Sequence, residues 1–140
     1  MGVRRDAREA AVQYLYQKEL QGDAGDSGLE EFYKIRGVSP SARRFCDELL
    51  RGWTKNSTQI DDVIRRHSKN FEFNRLSAVD RNVLRIACHE ILNCPDMPDA
   101  VAINEAIEIA KKFSTADSGR FVNGVLDSIR KETTPGRTSD

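Results

Sequence analysis

Cysteine is scarce in this chain, and what there is does not suggest pairing. Cys46, Cys88 and Cys94 are odd in number and show no C-x-x-C spacing. That argues against a disulfide framework and points to reduced thiols. Only His67 and His89 could join them as metal ligands, which is too sparse a set for a structural zinc site. Neither a metal nor a cofactor is expected. Long apolar runs are also missing. No eighteen consecutive apolar residues occur, so nothing is long enough to span a bilayer. The basic, amphipathic start lacks the continuous apolar segment of a secretory signal, and the expected address is the cytoplasm. An excess of one charge is lacking too: 22 basic residues face 22 acidic ones. A general polyanion-coating role would need a more basic chain. Any nucleic-acid contact is therefore expected on a local patch, helped by a partner.

The common catalytic signatures are missing as well. There is no glycine-rich dinucleotide or phosphate loop, no H-E-x-x-H and no G-x-S-x-G. His67 closes one expected helix and His89 lies on another beside Glu90, positions that suit packed or half-exposed histidines. No catalytic residue is expected, and a binding module is the stronger reading.

What is present is helical periodicity. At 140 residues, 39% apolar and 31% charged, the chain is one domain, or two small helical subdomains sharing a core. Val3 to about Gln21 reads as a first helix with Ala7, Ala10, Ala11, Tyr14 and Leu15 on one face. Arg4, Arg5 and Arg8 cluster at its start. Cations there oppose the macrodipole, so phosphate binding explains them better than helix stability; Asp6 weakens that patch. GDAGDSG (22–28) is a turn, and Leu29–Arg36 a short helix stopped by Gly37. Ser39-Pro40 opens a longer helix lined by Phe45, Leu49, Gly52 and Trp53. Asn56 and Ser57 interrupt the pattern, and Ile60, Val63 and Ile64 carry a further helix to about His67. Residues 69–74 form a connector that plants Phe71 and Phe73 on the bundle. Ser77 with Asp80 three residues on is a capping-box variant for the central helix. After Lys131 the polar tail offers nothing to bury. Period-two alternation never persists, so the fold class is all-α.

The most informative stretch is VAINEAIEIAKKFSTADSGRFVNGVL (101–126), two helices joined by a polar turn. Asp117 or Ser118 stands at the expected N-cap of the second, and Arg120 and Phe121 fall in its first turn. A cation and an aromatic at a helix start suit a stacked base with its phosphate; Phe121 suits a core anchor equally. Glu105 and Glu108 read as a solvated face supporting Lys111 and Lys112. Asn104 and Asn123 read as interhelical hydrogen-bond pins, and Gly124 as the site of a close helix crossing.

Three segments together, RRDAREAAVQYLY, RLSAVDRNVLRIACHEIL and the stretch above, resemble the NusB family of bacterial transcription antitermination factors. The resemblance runs from about Arg4 to Lys131. It implies about seven helices in two packed small bundles and a domain over residues 1–132; the polar tail over 133–140, with nothing to bury, is expected to be disordered. It also implies binding of boxA, a short single-stranded RNA in ribosomal RNA transcripts, together with NusE, a ribosomal small-subunit protein. The pair would recruit other Nus factors to RNA polymerase. By position, Arg4, Arg5 and Arg8 would meet RNA phosphates, and Ser118, Arg120 and Phe121 would face RNA. Asp117 would tune affinity, while Tyr16 and Asp80 would face NusE. A homodimer that hides the partner site is a further possibility under the same resemblance. The alternative is an accessory domain of a ribosomal RNA methyltransferase; the chain ends about eight residues past the last expected helix, leaving no room for a cofactor-binding domain.

Overall fold

A computed structural model describes residues 2–22, 28–68 and 76–133. Six helices follow one another: α1 Val3–Gln21, α2 Leu29–Arg36, α3 Pro40–His67, α4 Ala78–Asn93, α5 Asp99–Phe113 and α6 Ala116–Thr133. No strand occurs among the described residues. The fold is all-α, as the sequence implies. The expected connector with Phe71 and Phe73 and most of the polar tail lie outside the described residues, as does the middle of the 22–28 turn.

Helix ends follow local chemistry. Ser39 accepts a hydrogen bond from the Ala42 amide and Pro40 takes the first helical position. Ser77 accepts from the Asp80 amide. Gly37, at φ 80°, closes α2 in the left-handed conformation that a side chain would oppose. The expected break at Asn56 is a bend inside one helix, which accounts for six helices where about seven were expected. Asn56 has φ −118° and ψ 19°, and its side-chain amide donates to the Gly52 carbonyl at 2.9 Å. That bond holds the helix together where the backbone departs from regular geometry.

α1–α3 form one bundle and α4–α6 the other, with α4 between them in contact with α1, α3, α5 and α6. Burial explains the arrangement. Val83, Leu84, Ile86, Ala87, Cys88 and Ile91 leave α4 with few solvent-facing positions, so it can only sit in the middle. Its polar side chains tie the bundles. Arg85 forms a two-point pair with Asp61 at 2.9 and 3.0 Å and lies over the Trp53 ring at 4.8 Å. Arg81 pairs with Glu19, and buried Asn82 donates to the same carboxylate at 3.3 Å. These are the interhelical pins. Asn104 and Asn123, expected in that role, are both exposed, because each sits just past the edge of its helix's buried stripe.

The close helix approach is likewise not at Gly124, where an added Cβ would meet nothing within 4 Å. It is at Gly52, where a Cβ would fall inside the His89 ring, and at Gly119, where it would lie 2.8 Å from Lys111 Cγ. His89 is buried against Gly52 and its pKa is pushed down by that burial. Burial also raises the thiols of Cys46 and Cys88, to about 11 and about 12, leaving them protonated at neutral pH.

Candidate nucleic-acid interface

The arginine cluster at the start of α1 divides by burial. Arg8 is 3% exposed and Glu90 of α4 only 1%. The two form a two-point pair, Nε to Oε1 and Nη2 to Oε2, each at 2.9 Å. Arg8 also contacts the Met97 sulfur at 3.5 Å and lies 3.7 Å from Glu105. Its guanidinium is therefore occupied inside the molecule rather than presented to phosphate. Arg4 is exposed, with its guanidinium 5.1 Å over the Phe45 ring, and Arg8 faces the same ring at 5.3 Å. Arg5 reaches across to α5 and binds Glu105 with hydrogen bonds of 2.7 and 2.6 Å. The Arg5 hydrogen bond is the main reason Glu105 titrates below the usual carboxylate range. Glu105 thus belongs to this cluster. Its expected place on a solvated face with Lys111 and Lys112 does not hold, because α1 packs alongside it.

The acids of the same helix turn are drawn away. Asp6 meets Arg36 of α2 at 3.0 Å, so much of its charge is answered before it reaches the arginines. Glu9 is buried and accepts from Lys112 at 3.0 and 3.2 Å. Between α1 and α5 these side chains leave a shallow cleft lined by Arg4, Arg5, Glu105, Glu108 and Lys112. Glu108 keeps the expected pairing with Lys111, at 3.6 Å.

The start of α6 adjoins the other side of α5. Its N-cap is Thr115, whose hydroxyl accepts from the Ser118 amide at 3.1 Å. Asp117 and Ser118, the expected caps, fall inside the first turn, because the Thr115 hydroxyl already caps the helix ahead of them. Asp117 and Arg120 are exposed and paired with each other. Phe121 is half-buried, packed on the core with part of its ring outside. The core contact matches the anchor role that its position in the sequence suits.

Ser118 turns inward. It is 8% exposed, donates to the Asp80 carboxylate at 3.2 Å and lies 2.8 Å from the Ser114 hydroxyl. Burial pushes the Asp80 carboxyl up, against the hydrogen bonds from Ser118 and Ser77 that favour its charge, and its Oδ1 is buried without a partner. Asp80 follows Val79, which lines a groove with Val12, Tyr16, Leu20, Phe32 and Phe113. Tyr16 is 37% exposed and Leu20 66% exposed. Of the two residues expected to face a protein partner, Tyr16 lines this groove and Asp80 is not part of its lining.

Sequence reasoning missed Glu90, Glu105 and Phe45 as parts of this site. No local signal points to them: Glu90 is 82 residues from Arg8, and Glu105 is 100 from Arg5.

Solved structures and relatives share this fold. The fold is similar to that of T. maritima NusB, with TM-score 0.82, 41% identity and coverage of 97% of this chain and 96% of that one. It is also similar to a chain in the complex of antitermination factors NusB and NusE with dsRNA, with TM-score 0.84, 26% identity and coverage of 93% and 97%. The transcription antitermination protein NusB of Desulfatibacillum aliphaticivorans is 45% identical over 129 residues, 92% of this chain and 90% of that protein. The NusB family description matches residues 5–131, which takes in every helix described above apart from the outermost residues of α1 and α6. The chain belongs to the NusB family.

Proposed function

We propose that this chain is a transcription antitermination factor. It binds boxA-type single-stranded RNA of ribosomal RNA transcripts together with NusE, and helps to assemble the Nus complex on RNA polymerase. Family membership across nearly the whole chain is the observation that carries this reading. The role is binding, not catalysis, and its place is the cytoplasm; among the described residues no helix is long and apolar enough to cross a membrane.

In this reading Arg4 and Arg5 meet phosphates, with Glu105 holding Arg5 in place until RNA competes for it. Phe121 offers a partly exposed ring to a splayed base, a contact worth roughly 1–3 kcal/mol, and Arg120 supplies charge beside it. Asp117 tunes affinity by pairing with Arg120. Arg8 and Ser118 act from beneath: Arg8 fixes the start of α1 on Glu90, and Ser118 joins the α6 start to Asp80. Tyr16 lines the groove proposed for NusE, and Asp80 follows Val79, which lines it too. The complex of NusB and NusE with dsRNA supports the pairing of these two kinds of partner.

The deciding experiment is a titration of labelled boxA RNA, with and without purified NusE, beside a scrambled RNA of equal length. Tight, sequence-dependent binding that strengthens with NusE is expected. Equal affinity for both RNAs under both conditions would leave only the fold assignment standing.

A further inference from the structure

The outer face of α3 carries a row of cations that the described part of the molecule does not neutralise. Arg44, Arg51 and Lys55 are spaced by seven and four residues, so they project along one line of the helix. That line lies opposite Cys46, Leu50 and Trp53, which face the core side. All three cations are exposed, and among the described residues none has an ion-pair partner. This is unusual for the chain. Arg5, Arg8, Arg36, Arg81, Arg85 and Arg120 each meet a carboxylate, and acidic residues equal basic ones in number. Glu48 stands on the same line, exposed and without an ion pair among the described residues, and offsets one of the three charges.

The row is continuous with the cluster at the start of α1. Arg4, also without an ion pair among the described residues, lies over Phe45, the residue next to Arg44. From Arg44 the row extends about 10 Å to Arg51 and about 16 Å to Lys55, enough to follow several nucleotides of an extended strand. It offers charge without a free ring: Trp53 is covered by Arg85, and Phe45 by Arg4 and Arg8. Such a surface can hold a sugar–phosphate backbone but cannot read a base by stacking.

We propose that Arg44, Arg51 and Lys55 form a second phosphate track, which takes RNA flanking the recognised segment after that strand has crossed Arg4. The proposal rests on the RNA-binding function above. It extends the interface in length and adds no sequence preference.

The test uses the full chain and the triple variant Arg44→Gln, Arg51→Gln, Lys55→Gln, whose substitutions all lie in solvent. Each is titrated with a boxA-type RNA and with the same RNA extended by a uridine tract on one side or the other, across a range of salt. One extended RNA is expected to steepen the wild-type dependence of log Kobs on log salt by about 2, from three phosphate contacts at about 0.7 each. The triple variant should lose that increment while keeping the slope of the short RNA. Equal wild-type slopes for short and extended RNA would overturn the proposal, and so would a triple variant that keeps the increment or that weakens the short RNA equally. A row that serves an acidic protein instead would leave every RNA slope unchanged, which also overturns it. Failure of the wild type to bind the short RNA at all would instead refute the function from which the proposal starts.

Discussion

Arg5 and Arg8 stand three residues apart on one helix and carry the same charge, yet they belong to different parts of the protein. Arg8 is sealed between α1 and α4 with Glu90 as its counter-ion. Arg5 lies at the rim, where water can replace Glu105 and a phosphate can compete for the guanidinium. The difference is set by rotation about α1. A step of three residues turns far enough to move a side chain from the cleft's edge to the contact with α4. Burial then decides the energetics: a sealed pair is costly to break, whereas an exposed pair contributes little and is free to exchange partners. An arginine-rich helix start is thus partly buried foundation and partly exposed surface.

The strongest way to break this comparison is to strand the buried charge. Glu90→Ala should cost about 3–5 kcal/mol in urea denaturation. The double variant Arg8→Met with Glu90→Leu should recover most of that loss, since it removes both charges and keeps the volume. A Glu90→Ala loss under about 1 kcal/mol would mean that water reaches the pair and that Arg8 and Arg5 are equivalent after all. Next in size is the glycine under His89. Gly52→Ala should cost about 1–3 kcal/mol, because the added Cβ would overlap the buried His89 ring, which must shift.

Phe121→Ala addresses function. It should weaken boxA binding by about 1–3 kcal/mol, roughly fivefold to 150-fold, with a smaller loss of stability. Unchanged affinity together with a large stability loss would place the ring wholly in the core. Gly124→Ala should raise stability by about 0.5–1 kcal/mol, since the position is helical and open; any loss would reveal a packing partner there.

The smallest effect on folding belongs to Arg5→Ala, under about 1 kcal/mol at neutral pH. It should still flatten the salt dependence of RNA binding, by about 0.7 for each phosphate that the shortened side chain can no longer reach. It also carries a pH signature. Glu105 holds its proton less tightly in the folded protein, chiefly through the Arg5 hydrogen bond. Its contribution to stability is complete above the ordinary carboxylate range and is lost as pH falls through the lowered folded value. Urea midpoints on the acid side should therefore fall less steeply in Arg5→Ala than in the wild type. Parallel curves would show that Glu105 is held by something other than Arg5.

Much of the fold was legible in the chain because it is written in neighbours. Ser39-Pro40 starts a helix, Gly37 ends one, and Ser77 caps α4 through chemistry that spans four residues or fewer. The apolar density of α4 placed it at the centre without reference to any partner. The site was legible only as two clusters, Arg4-Arg5-Arg8 and Asp117–Phe121. Which members face outward could not be read from their types: Arg8 and Ser118 turn inward, while Arg4 and Arg120 do not. The glycine that allows close packing was Gly52 and not Gly124, and the polar pins came from Arg81, Asn82 and Arg85 and not from Asn104 or Asn123.

The division has one physical cause. Helix periodicity, caps and turn residues are local properties, so the sequence by itself determined an all-α chain, nearly every helix boundary and the positions of both candidate clusters. Burial, ion-pair partnership and helix contact join residues as far apart as Arg5 and Glu105, 100 positions away. They depend on how helices are rotated and crossed. Only the tertiary structure could decide which arginine is held inside and which is left at the surface.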